Sequence, residues 1–245
     1  MKNKILVTGG DGRFAKVLKK ENKKLNLTFK SKKDLNILSL KSIEECVKKI
    51  RPRYILHTAG LSRPMNIHEK KISKSIDLNI IGTCNLVKLC EKYSIKLIYM
   101  STHYVYPCKK GNYLESEPLL PANNYSWSKL GGECAVQMYL KNSLIIRAAM
   151  YETPFIHKFA YTNLKSNFLS HADVAKILSK IINKKGIINV GGKRSSIYKF
   201  AIKTNKKVLP IKYKSKKKIA KLMPDSSVNI SKLRSIINLN SLLKK

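Results

Sequence analysis

Acidic side chains are scarce in this chain: 14 Asp and Glu stand against 50 Lys and Arg, a formal net charge of +36 at pH 7. Such a surface gains affinity for polyanions by releasing counterions, and taken alone it points to nucleic acid or an anionic membrane. Arginine is scarce as well. Only Arg13, Arg51, Arg53, Arg63, Arg147, Arg194 and Arg234 carry the fork that phosphate and base recognition favours. The lysines are spread along the whole chain rather than gathered into one arm. A compositional bias accounts for them, and no nucleic-acid partner is expected. The charge still attracts small anions, nucleotides among them.

Cysteines are few and scattered. Cys46, Cys84, Cys90, Cys108 and Cys134 form no CxxC pair and have no histidine at metal-ligand spacing, so neither a metal site nor a disulfide framework is expected. Reduced thiols of this kind suit a cytoplasmic protein. No apolar run is long enough to span a bilayer, so no membrane partner is expected. Strand-like residues begin at Lys4, so no signal peptide is expected either.

The 245 residues suffice for one α/β domain with a sizeable core, and a hydrophobic content of 43% argues against disorder. Short apolar runs alternate with amphipathic stretches, the pattern of a parallel sheet covered by helices. Strands are predicted at Lys4–Thr8, Leu25–Phe29, Arg53–His57, Ile95–Met100, Leu144–Arg147 and Ile187–Val190. Helices are predicted from the glycines to about Lys20, from Leu40 to Ile50, from about Lys71 to Lys92, and from Tyr125 to Leu140. Ser170-His171-Ala172-Asp173 has the form of a capping box opening one more helix. The reading is a single Rossmann-type doubly wound parallel sheet over residues 1–245. A small, shortened C-terminal substrate lobe is expected from about 148–170 and 191–245.

Three constellations carry chemistry. Thr8-Gly9-Gly10-Asp11-Gly12-Arg13-Phe14-Ala15 sits between the first strand and the first helix, where a dinucleotide fingerprint belongs, and fits both GxGxxA and GxxGxxA. Small residues there let the backbone approach a pyrophosphate whose charge the helix N-terminus meets. Tyr125 and Lys129 are four apart on a predicted helix and so share a face, and a neighbouring cation lowers a phenol's pKa toward neutrality. Ser101-Thr102-His103-Tyr104 follows an apolar strand, at the sheet edge where open α/β folds bind ligands. Lys30, Lys32 and Lys33 follow the second strand, where a basic residue accepts a 2′-phosphate; this favours NADP over NAD.

The stretches ILVTGGDGRFAKVL, DLNILS, ILHTAG, DLNIIGTCNLVKLC, STHYVYPCKKGNYLESEPLLPANNYSWSKLGGE, IIRAAMYE, HADVA and INVGG occur in this order up to about residue 192. Together they resemble the extended short-chain dehydrogenase/reductases (the NAD-dependent epimerase/dehydratase family), most nearly the dTDP-4-dehydrorhamnose reductases. The resemblance implies NAD(P)-dependent reduction of a nucleotide-linked 4-keto sugar in polysaccharide biosynthesis. Its alternatives are a sugar-nucleotide epimerase or dehydratase, and a non-catalytic dinucleotide-binding regulatory subunit.

By position, the resemblance makes Tyr125 the proton donor, Thr102 a hydrogen-bond partner of the reacting oxygen, and Lys129 the holder of the nicotinamide ribose that depresses the Tyr125 pKa. Gly9, Gly12, Arg13 and Phe14 would line the pyrophosphate. Asn36 and Ile37 would sit by the adenine, and Thr58, Ala59 and Gly60 along the cofactor. Asn79 would brace the central helix against the active-site strand. The resemblance also implies a homodimer through the helices near 71–92 and 125–140. The chain departs from the family pattern at His103, where an acidic residue is usual, at Asn36, and in the shortness of segment 148–170.

Overall fold

The computed structural model describes residues 3–213 and 223–243. Its centre is a sheet of six parallel strands: β1 (Ile5–Thr8), β2 (Leu27–Lys30), β3 (Tyr54–His57), β4 (Lys96–Thr102), β5 (Ser143–Ala148) and β10 (Gly186–Val190), in the order β10-β5-β4-β3-β1-β2. Reversal of the order between β1 and β3 marks the switch point at which doubly wound sheets bind ligands. Strands β1, β3, β4 and β5 are buried along their whole length, which is why they read as unbroken apolar runs rather than alternating ones. Ile5, Val7, Leu56 and Ile98 pack on one face, and Leu6, Ile55, Leu97 and Tyr99 on the other.

Helices α1 (Arg13–Glu21) and α7 (His171–Ile181) cover the first face; α2 (Leu40–Ile50), α5 (Gly82–Lys92) and α6 (Asn124–Met138) cover the second. Their starts are set by side-chain caps: Ser39 accepts from the Ser42 amide, Asn123 from Ser126, and Ser170 from Asp173. Ser170 Oγ also donates to the Asp173 carboxylate at 2.7 Å, so of the expected capping box the N-cap half forms, and the third residue answers through the Ser170 hydroxyl. β4 runs on past Met100, so Thr102 is its last residue rather than part of a turn.

The helix expected over 71–92 is built in pieces: α3 (Ile67–Lys70), α4 (Ile72–Ser75), a π-helical segment at Ile76–Ile81, then α5. A π segment inserts an extra residue and redirects side chains, and here it carries Asn79. Beyond β5 the chain makes three small two-stranded sheets, β6 (Met150–Tyr151) with β9 (Leu169–Ser170), β8 (Lys165–Ser166) with β11 (Ser195–Ser196), and β7 (Phe159–Tyr161) with β12 (Leu209–Ile211). With α8 (Ile197–Ala201) they close a satellite core of Phe155, Ala160, Ala201 and Val208. The last helices are α9 (Ser231–Ile236) and α10 (Leu239–Leu243). The expected lobe falls on this part of the chain, except for 214–222 and 244–245, which lie outside the described residues. No helix among the described residues is long and apolar enough to cross a membrane, and all five cysteines are free.

Candidate functional site at the carboxyl edge of the sheet

The glycine turn follows β1. Gly9 has φ +67°, and a Cβ there would lie 2.7 Å from the Ala59 Cα, so the position excludes any other residue. Gly10 donates to the Lys30 carbonyl at 2.8 Å, which ties the turn to the end of β2. Gly12 is the N-cap of α1 and no side chain caps that helix, so the first-turn amides face the turn without a side-chain acceptor. A bare helix start above a close-packed turn fits a pyrophosphate. Thr58, Ala59 and Gly60 lie alongside: Thr58 Oγ1 donates to the Thr8 carbonyl at 2.6 Å and the Ala59 amide to Thr8 Oγ1 at 3.2 Å. Phe14 is buried beneath the turn and meets His171 edge-on, with ring centroids 5.7 Å apart.

Asn36 turns inward on itself, its Oδ1 accepting from the Leu38 amide at 3.1 Å. Ile37 is buried, and its carbonyl accepts from Asn85 at 3.0 Å. The pair therefore forms the wall between β2 and α5. Asn79 does not reach β4. Its amide donates to the Leu61 carbonyl at 2.9 Å and to Ser128 Oγ at 2.8 Å, and its oxygen accepts from the Leu61 amide at 2.7 Å. It braces the loop after β3 against α6, the helix of Tyr125 and Lys129.

Tyr125 is partly buried, with the Thr102 side chain close enough to act on its hydroxyl. Burial raises its pKa above the ordinary tyrosine value; the Thr102 side chain, then Arg63 and Arg13, pull it back. Two arginines act on this phenol, and the Tyr–Lys spacing in the sequence does not mark either of them. The Lys129 ammonium instead lies 4.2 Å from the centroid of the Tyr99 ring. Burial lowers its pKa to about 7, opposed by Glu133 one helical turn further on.

This has a measurable consequence. An unfolded lysine titrates near 10.5, so as the pH falls toward 7 the unfolded chain takes up a proton that folded Lys129 refuses. The burial cost grows from zero above pH 10.5 to its full size below about 7. Lys129→Met should therefore raise the midpoint of urea unfolding at pH 7, by an amount that shrinks as the pH approaches 10. A gap that is constant with pH would show that folded Lys129 stays charged.

His103 is 1% exposed, Nδ1 lies 3.1 Å from the Ala148 carbonyl, and the ring lies 3.9 Å from that of Tyr104. Burial takes its pKa down to about 4, so at neutral pH it is an uncharged packing element between β4 and β5. His57 is similarly buried between Thr8 (2.9 Å) and Thr83 (3.1 Å), as a strand-end packing histidine. Trp127, on α6, is 48% exposed.

Four contributors escaped the sequence reading. Arg63 and Ser62 follow β3, and Glu152 follows β6; Arg63 Nη1 lies 3.2 Å and Arg13 Nε 3.4 Å from the Glu152 carboxylate, while Arg13 donates to Ser62 at 3.1 Å. No spacing in the sequence marks these residues, because the fold alone brings them together. Glu133 had a signal: it stands four residues after Lys129, on the same helix face. No group of His, Cys, Asp and Glu among the described residues is arranged to hold a metal.

A switch-point glycine turn, a strand-end threonine against a tyrosine, and a lysine one turn on define a Rossmann protein of the extended short-chain dehydrogenase/reductase class. Within that class the chain belongs to the family described as RmlD substrate binding domain, whose model matches residues 2–187. It is 28% identical over 163 residues to methionine adenosyltransferase 2 subunit beta of Pongo abelii, covering 63% of this chain and 47% of that one. It is 25% identical over 186 residues to the spore coat polysaccharide biosynthesis protein SpsK of Bacillus subtilis, covering 75% and 64%. The chain thus spans about half to two thirds of the length of these curated relatives. In fold it is similar to a dTDP-4-dehydrorhamnose reductase of Bacillus anthracis solved with NADP, with TM-score 0.84, 23% identity, and coverage of 96% of this chain and 93% of that one.

Proposed function

We propose that this protein reduces a nucleotide-linked 4-keto sugar, with NADP as cofactor and NAD as the alternative. The observation that carries the reading is the placement of Thr102, the last residue of β4, and Tyr125, in the first turn of α6, on the sheet edge that also holds the glycine turn. Gly9, Gly12, Arg13 and Phe14 would hold the pyrophosphate, Asn36 and Ile37 the adenine end, and Thr58, Ala59 and Gly60 the middle of the dinucleotide. Asn79 would fix the Gly60–Leu61 loop. Lys30 ends β2 beside the glycine turn, where its charge favours a 2′-phosphate. The cofactor, when bound, supplies a hydride.

The chain's own part is to hold the keto oxygen between Thr102 and Tyr125 and to deliver the Tyr125 proton to it. Lys129 would hold the ribose, and the short paired strands beyond β5 would make the sugar pocket. Epimerisation or dehydration would need a second acid–base group, and His103, buried and neutral, is poorly suited to supply one. A homodimer through the π segment, α5 and α6 is part of the proposal, supported by exposed Ile76, Ile81 and Trp127. So are a cytoplasmic location and the absence of a nucleic-acid partner.

Titrating the protein with NADPH and NADH by fluorescence, then adding a dTDP-linked 4-keto sugar, tests the reading. The expected result is saturable binding in the micromolar range, tighter for NADPH, followed by oxidation of the cofactor. Absence of binding for both would overturn it. The likeness to methionine adenosyltransferase 2 subunit beta favours one rival, a regulatory subunit that binds the dinucleotide without turnover. Binding with no oxidation across a panel of nucleotide sugars would select that rival.

A further inference from the structure

Glu152 stands in an unusual setting for the protein's scarcest charge. Its side chain is 19% exposed, with one oxygen 3.2 Å from Arg63 Nη1 and the other 3.4 Å from Arg13 Nε. The three residues come from three separate parts of the sheet edge: Arg13 opens α1 after the glycine turn, Arg63 follows β3, and Glu152 follows β6. Arg63 is further fixed by the Tyr151 ring, 4.9 Å below its guanidinium, and Arg13 by its bond to Ser62. Two guanidinium forks around one carboxylate leave the cluster with an excess positive charge. Such forks match phosphoryl oxygens as well as carboxylates, and a dianionic group would neutralise both. Both arginines also lie within electrostatic reach of the phenol that the proposed reaction uses.

We infer that Arg13 and Arg63 form a phosphoryl slot and that Glu152 is its built-in occupant, displaced when a diphosphate enters. The ligand class is the diphosphate of a nucleotide, either the dinucleotide's pyrophosphate or the diphosphate of the substrate. The inference rests on the proposed function for the identity of that nucleotide, but not for the slot. Displacement frees Glu152 and the segment after β6 from the glycine turn, so the contact that closes the cleft opens as the ligand is gripped. Glu152 thereby sets a threshold: only an anion that outbids a tethered carboxylate is held.

Calorimetric titration of the full-length protein with inorganic pyrophosphate, NADPH and dTDP tests this, using Glu152→Gln, Arg63→Met and the double variant. Glu91→Gln, an exposed change of equal charge, is the control for the overall field. Glu152→Gln should tighten pyrophosphate by about tenfold, the size of one competing charge-assisted pair. Arg63→Met should weaken it by a similar factor, and Glu152→Gln should bring no gain once Arg63 is gone. Glu91→Gln should move nothing. A gain confined to NADPH assigns the slot to the cofactor, a gain confined to dTDP assigns it to the substrate, and a gain in both makes it shared. Pyrophosphate affinity that ignores both single variants, or responds equally to Glu91→Gln, overturns the slot. Failure of NADPH and dTDP to bind any variant, with the pyrophosphate pattern intact, overturns the proposed function and leaves the slot standing.

Discussion

Tyr125→Phe is expected to lower turnover by ~10²–10⁴-fold, the usual contribution of a positioned general acid, while leaving NADPH affinity unchanged. The change removes one oxygen from a partly buried ring held at the start of α6 by the Asn123 cap, so no packing is lost. It does remove the phenol, which is the more acidic of the two hydroxyls and so the one suited to give its proton to a keto oxygen. Burial keeps the Tyr125 pKa above the ordinary value, so the phenol stays protonated through neutral pH, as a donor must. Wild-type reduction should therefore decline only on the alkaline side, and that limb should be missing from the residual rate of the variant. Stopped-flow measurement of NADPH oxidation across pH checks both. A variant that turns over at the wild-type rate would take the proton-donor role away from Tyr125, whereas NADPH binding without turnover in the wild type would move the protein to the regulatory reading.

The parts of this site that could be read from sequence are those in which one local rule fixes the geometry. The glycine turn is legible because only small residues allow the backbone approach found at Gly9 and Ala59. Tyr125 and Lys129 are legible because helix periodicity places them on one face. Strands β1, β3, β4 and β5 are legible because both faces are buried, while the half-buried β2 starts two residues later than expected and β4 ends two residues later. What was not legible depends on close tertiary approach. The π segment has no periodicity signature of its own; it follows from the fit of Asn79 between Leu61 and Ser128 and from α6 crossing it closely at Gly132. The place of the Lys129 ammonium over the Tyr99 ring was not legible either, and the charge that acts on it is a buried carboxylate one turn away. Arg63 and Glu152 are far apart in sequence and meet only because the sheet gathers its loop ends at one edge.

That carboxylate belongs to the ion pair whose disruption should cost the fold most. Glu133 is completely buried and accepts from Arg147 Nε at 2.9 Å and Nη2 at 2.7 Å, with Ser101 on its other oxygen. Arg147 interrupts the apolar run of β5, and its remaining nitrogen donates to the Tyr106 hydroxyl at 2.7 Å and the Glu115 carbonyl at 2.9 Å. Tyr106 passes the network on to Asn189 in β10 at 3.0 Å. Arg147→Met should leave the Glu133 charge buried without its cation, at a cost of about 3–5 kcal/mol. For a chain of this size that lowers the melting temperature by roughly 10 °C. Adding Glu133→Leu should recover much of the loss, because an apolar pair of similar volume avoids the desolvation that the ion pair has to offset. The double variant should nevertheless be a poor enzyme. Without Glu133 nothing opposes the burial of Lys129, and its pKa should fall below the present value of about 7. Thermal unfolding of the three variants and NMR titration of the Lys129 ammonium separate the two effects. Stability that returns with an unmoved Lys129 would confine Glu133 to the scaffold; stability that returns while Lys129 shifts would make Glu133 a positioning residue for the site.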